Sequence, residues 1–108
     1  MKIYLDFSVF TPLVSVGNVH GEFDLDVVPS EGEVLSFLSP KKKTTVDLVS
    51  GFKYELKVEH VSEVPTEPSR VLLSLEDVTL TTTQDAKKVM AYFEQGFGLH
   101  ADVNPEWA

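Results

Sequence analysis

The 108-residue chain contains no cysteine. That removes any disulfide framework, any thiolate nucleophile and the commonest soft metal ligand. No apolar run approaches the about 18 residues that a membrane helix requires, so no contact with a membrane is expected. Met1-Lys2-Ile3-Tyr4-Leu5-Asp6 reaches a carboxylate before the core of a signal peptide could form. These absences together lead to the expectation of a cytoplasmic protein. Glycine and proline are also sparse, at six each, while 43% of residues are hydrophobic. Such a chain can bury a core along most of its length, and residues 1–108 are read as a single domain. Basic residues are few as well. Nine stand against 17 acidic ones, a net charge of -8, and a surface of that sign repels nucleic acid.

What is present is most informative between His20 and Pro29. With a period of two, Phe23, Leu25 and Val27 fall on one face of a strand, and Glu22, Asp24 and Asp26 on the other. One face is expected to enter a core, and the other is a row of three carboxylates. Glu31 and Glu33 follow shortly, whereas five bases (Lys41, Lys42, Lys43, Lys53, Lys57) gather in the middle of the chain. If the strand bearing Lys53 and Lys57 lies beside the acidic strand, opposite charges offset each other across the sheet. If it lies elsewhere, the row remains available to a basic partner.

The rest of the chain reads mainly as strands. Residues 3–10 alternate, with Ile3, Leu5, Phe7 and Val9 on one side, and Pro12 and Gly17-Asn18 mark a turn or loop. The acidic strand is expected from about Val19 to Val28. Pro29-Ser30-Glu31-Gly32 forms a turn in which Gly32 can supply a positive φ. Glu33–Leu38 reads as a short strand, with a single helical turn as the competing reading, and precedes an exposed lysine connection. Phe52, Tyr54, Leu56, Val58 and His60 define the inner face of a long alternating strand. Glu63–Ser69, with two prolines, reads as a loop. Arg70–Leu75, apolar on both faces, reads as a strand nearer the middle of the sheet, and its pattern can be followed on to Leu80. Thr82 and Asp85 have the spacing of an N-terminal cap, and Ala86, Val89, Met90 and Phe93 form a helical stripe ended by Gly96 or Gly98. Residues 99–108 read as a tail. The expected fold is α+β: a mostly antiparallel sheet, or a small SH3-like partly open barrel, of 5–6 strands with one C-terminal helix.

Catalytic and metal chemistry find little support in this pattern. His20, His60 and His100 are separated by 40 residues each and belong to no short ligand motif. His20 is expected in a turn, His60 at the edge of the core and His100 in the tail. Glu22, Asp24 and Asp26 are spaced by roughly 7 Å along a strand, as in any alternating acidic strand. A flat solvated row gives no reason for the raised pKa that carboxylate catalysis needs. No calcium-wrapping loop occurs and the glycines make no phosphate cradle. The expectation is a non-enzyme without metal or cofactor. A binding face would add aromatic anchors to the carboxylates, since charge mainly steers whereas buried rings supply affinity. Tyr4, Phe10, Phe97 and Trp107 are available, and Trp107 either tucks into a groove or contacts a partner.

In length, acidity, lack of cysteine and acidic β/α pattern the chain resembles the immunity proteins that bacteria keep against nuclease toxins. The resemblance is one of composition, without a motif, so no family residue is carried over. It implies an inhibitor or antitoxin, monomeric when free, that binds a basic toxin one-to-one and blocks its active or substrate-entry cleft. The residues expected to bind the partner are Glu22, Asp24, Asp26, Glu31, Glu33 and Trp107. The alternative is a structural or accessory β module of a phage, secretion or multi-subunit assembly.

Overall fold

The computed structural model describes residues 2–64 and 67–107. They form β1 (Lys2–Phe10), β2 (Ser15–Asp24), β3 (Val34–Ser36), β4 (Glu55–Val64), β5 (Glu67–Leu75), β6 (Val78–Thr79), α1 (Thr83–Phe97) and β7 (His100–Val103). The strands make one open sheet in the order β3-β4-β5-β1-β2-β7, with β6 paired to β1. All pairings are antiparallel except those of β1 with β5 and β6. The expected mostly antiparallel sheet with one C-terminal helix is therefore the fold. The strand count rises to seven through the two-residue β6 and the four-residue β7.

Alternation in β1 dictates which face is covered. Ile3, Leu5, Phe7 and Val9 are buried and meet the stripe of α1, in which Ala86, Val89, Met90 and Phe93 are buried as their spacing predicts. Thr82 caps the helix by accepting the Asp85 N–H at 3.1 Å, and Gly98 ends it in the left-handed conformation. Lys42 donates its backbone N–H to the Gly96 carbonyl at 2.8 Å, satisfying one of the acceptors that a helix end leaves open. Phe37, just after β3, fills the space between sheet and helix. Its ring lies 5.7, 5.1 and 5.2 Å from those of Phe23, Phe93 and Phe97. Phe97 is thereby core and not a surface anchor.

Several local expectations change. The first turn is Thr11–Val14, where the Thr11 N–H donates to the Val14 carbonyl at 2.8 Å; Gly17 and Asn18 lie inside β2. The acidic strand ends at Asp24, so the alternation does not carry on and Val27 is 75% exposed. The Ser30–Glu33 turn forms, with Gly32 at φ 91°. Strand β4 contains a register shift between Val58 and His60, which changes the phase of the pleat. His60 is turned outward and exposed, and Val61 takes the core side. The Glu63–Ser69 loop shrinks because β4 runs through Val64 and β5 begins at Glu67; Pro65 and Thr66 lie outside the described residues. β5 does occupy a middle position, between β4 and β1. It stops at Leu75, where Glu76 turns to bond Lys57 through both its N–H and its carboxylate.

The expected tail is the largest correction. Leu99 is only 2% exposed, and His100–Val103 pairs with Gly17–His20 of β2. The segment is too short for periodicity to announce it as a strand. Asn104 extends the pairing by donating its N–H to the Val16 carbonyl at 2.8 Å.

Two buried tyrosines connect the core to the long segment between β3 and β4. Tyr92 donates its hydroxyl to the Phe37 carbonyl. The Tyr54 hydroxyl accepts the Val49 N–H at 2.8 Å. Burial pushes both phenols above the ordinary 10.0, with the Tyr54–Tyr92 proximity adding to Tyr92 and Asp85 adding to Tyr54. A raised folded-state value means that the native protein holds protons which the unfolded chain has released above pH 10. Stability is thus full below pH 10 and is lost as pH climbs through the folded-state values. Urea titrations between pH 8 and 12 should show that decline, and Tyr92→Phe should make it shallower. An equally steep decline in the variant would remove Tyr92 from the alkaline transition.

Candidate functional site on the uncovered sheet face

Because α1 covers the face bearing Ile3, Leu5 and Phe7, the side chains of Tyr4, Asp6, Ser8 and Phe10 project from the opposite one. Strand register places the neighbours. Tyr4 stands opposite Glu22, Asp6 opposite His20 and Ser8 opposite Asn18. On the far side of β2, His20 stands opposite His100 and Asn18 opposite Asp102. Residues remote in sequence converge here on three adjacent strands.

The centre of this face is a hydrogen-bonded chain. His20 Nε2 lies 2.8 Å from Asp102 Oδ2, and His20 Nδ1 lies 3.1 Å from the Tyr4 hydroxyl. A carboxylate only accepts, so it selects the tautomer with the proton on Nε2. In the neutral ring Nδ1 then accepts the Tyr4 O–H. The His20 and His100 rings are 5.6 Å apart. Together with Gly21, Glu22 and Gly98, the Tyr4 and His100 side chains line a cleft of about 370 Å³. The His20 side chain is 27% exposed and that of Asp102 72%. One strand each contributes Tyr4, His20 and Asp102, so the chain of bonds also fastens β1, β2 and β7 side by side.

His20 is thus not in a turn and His100 is not in a tail. His60 is separated from the other two by β5 and β1, so the three histidines do not meet. Among the described residues no group of three or more histidine, aspartate or glutamate side chains is arranged to hold a metal ion.

The residues expected to bind a partner are divided by the fold. Glu22 and Asp24 are exposed on β2, and Asp26 is exposed just beyond it. Lys57 lies on β4, which β5 and β1 separate from β2, and Lys53 precedes β4. Lys2 stands opposite Asp24 in the register, and Lys41 reaches the acidic strand from the segment after β3. Its Nζ donates to the Asp24 carbonyl at 3.0 Å and sits 4.4 Å from the centre of the Phe23 ring. Glu31 and Glu33 lie at the other end of the sheet. The Glu33 carbonyl accepts the Val58 N–H, and the Glu31 carboxylate accepts the Val61 N–H at 3.4 Å. Trp107 is half-buried and donates its indole N–H to the Ser15 carbonyl at 3.1 Å.

Sequence reasoning missed Tyr4, His20, His100 and Asp102 as a group. The alternation of β1 put Tyr4 on the right face, but β7 was the necessary signal, and four residues of mixed character give none. No helix among the described residues is long and apolar enough to cross a membrane. Comparison with protein-family models, with curated proteins and with solved structures found no match, so the geometry of this face alone carries the functional reading.

Proposed function

We propose that this chain is a small cytoplasmic protein-binding inhibitor that recognises a basic partner through the β1-β2-β7 face. A nuclease toxin is the concrete case: its substrate cleft is basic, and an acidic decoy filling it one-to-one needs no catalytic group of its own. The observation that carries this reading is the exposure of Asp24 and Asp26 at the end of β2, a strand that β5 and β1 separate from the lysines of β4. Asp6 and Asp102 extend the acidic character across β1 and β7, and Tyr4 adds an oriented ring beside them. Charge would steer encounter, and Tyr4 with the cleft beside it would supply contact. Glu31, Glu33 and Trp107 lie apart from this face, so the binding surface is centred on Glu22, Asp24 and Asp26.

The test begins with affinity capture from the native cell and a nuclease assay on the captured protein. The combined variant Glu22→Gln, Asp24→Asn, Asp26→Asn should stay folded and associate with that partner about tenfold more slowly at low salt. The difference should shrink as salt screens the field. An unchanged rate in a variant of native circular dichroism would remove the acidic row from recognition. A partner captured with its activity unaffected would favour the second reading, a structural module. That reading draws support from Leu13, which is 92% exposed at the tip of the β1–β2 turn, and self-assembly in solution would separate it from a monomeric inhibitor.

A further inference from the structure

Trp107 and the lysines of α1 take no part in the acidic face, yet they share a second cleft. Its volume is about 440 Å³, and Val46, Gln84, Lys87, Lys88, Ala91 and Trp107 are among its lining residues. This size lies within the range of small-molecule sites. Its chemistry is the reverse of the rest of the molecule. The chain carries a net charge of -8, but among the described residues the charged ones that line this cleft are Lys87 and Lys88.

Two sets of hydrogen bonds fix its lining. Trp107 donates its indole N–H to the Ser15 carbonyl at 3.1 Å and its backbone N–H to the Asn104 carbonyl at 2.9 Å, so its ring is oriented before any ligand arrives. Asn104 is held to the same Ser15 carbonyl through its side-chain amide at 2.9 Å. Next to Val46 in the chain, Thr45 gives its N–H to Gln95 Oε1 at 3.2 Å, and the Thr44 and Thr45 hydroxyls donate to the same oxygen. Those bonds tie the segment carrying Val46 to α1. Val46 and Trp107 both pack partly against the core, and Lys87 and Lys88 are exposed on the helix.

We propose that this cleft binds a small amphiphilic anion, a flat apolar body bearing a carboxylate, with the body against Trp107, Val46 and Ala91 and the charge at Lys87 and Lys88. A rigid aromatic wall suits a planar ligand at little entropic cost. Two adjacent ammonium groups favour an anionic end over a neutral polar one. The site lies apart from Glu22, Asp24 and Asp26, and its occupancy does not depend on the inhibitor reading.

Trp107 is the sole tryptophan, so its indole N–H gives a single resonance that reports this cleft directly. Titration of the isotopically labelled full chain with 2-naphthoate should shift that resonance, and the Ala91 amide, to saturation. The neutral 2-naphthalenemethanol should bind about three- to fivefold more weakly, the scale expected of exposed ion pairs. Lys87→Gln with Lys88→Gln, both on exposed helix positions, should abolish that preference while leaving the spectrum native elsewhere. Linear, non-saturating shifts with 2-naphthoate would overturn the proposal, as would equal affinity for the alcohol. Saturable shifts with a glutamate-rich peptide but not with 2-naphthoate would also overturn it, reassigning the cleft to an acidic segment of a protein.

Discussion

Gly17→Ala is expected to detach β7 from the sheet. A Cβ at this position would stand 2.1 Å from the backbone oxygen of Asp102 and 2.8 Å from Met90 Cε. The methionine could swing aside, but the carbonyl belongs to the strand paired with Gly17, so the strand itself must shift. Overpacking typically costs about 1–3 kcal/mol, and a backbone obstacle places this variant at the upper end, about 3 kcal/mol. The loss should be local first. Amides of residues 100–104 should lose hydrogen-exchange protection before those of β1 and β5, and Trp107 fluorescence should move to longer wavelength as its hold on Ser15 fails. Asp102 would leave His20 in the same event, so the acidic face would lose its oriented tyrosine. A variant of unchanged stability with native protection in β7 would show that the strand yields at little cost.

The second large effect is expected of Phe37→Ala. Phe37 is 1% exposed and touches rings from β2 and from two turns of α1, while its carbonyl receives the Tyr92 hydroxyl. Removing it leaves a cavity in a place where neither helix nor sheet can collapse without parting from the other. About 3–5 kcal/mol of stability should be lost, read from urea unfolding. Phe37→Leu, which refills much of the volume, should cost less than about half as much. Equal losses for the two would point to ring–ring geometry rather than cavity volume, and a loss under about 1 kcal/mol for alanine would remove Phe37 from the centre of the core.

Legibility followed the length and regularity of each element. The period-two pattern of Ile3–Val9 and the 3.6-residue stripe of Ala86–Phe93 are long enough to fix the covered face of the sheet and the side of the helix. Thr82 and Gly98 fixed the helix ends because capping is a local property. His60 was placed on the wrong face by one extra residue in β4, since a register shift depends on the partner strand and leaves no mark on the residues themselves. β7 is four residues long and becomes a strand only because β2 offers it an edge. The candidate site inherited that gap. Glu22 and Asp24 were visible as a row, but Tyr4, His20 and Asp102 become a unit only through two pairings, one of which spans 82 residues. Lys41 likewise looked like part of a solvated run, and only tertiary structure puts it over Phe23.

The position of β1 has a consequence for the order in which the fold can be assembled. The first strand in sequence sits between β2 and β5, so half of its ladder waits for residues 71–74. Until that stretch of chain exists, the β1–β2 hairpin stands as a two-stranded ribbon, and Ile3, Leu5, Phe7 and Val9 stay turned to water until α1 follows. Such ribbons are marginal alone, and both edges of this one, later filled by β5 and β7, are unpaired in the interval when its apolar face is bare. During synthesis this hairpin is thus adhesive when it emerges, and the parallel strand that pairs its edge and the helix that covers its face both come after β4 in the chain.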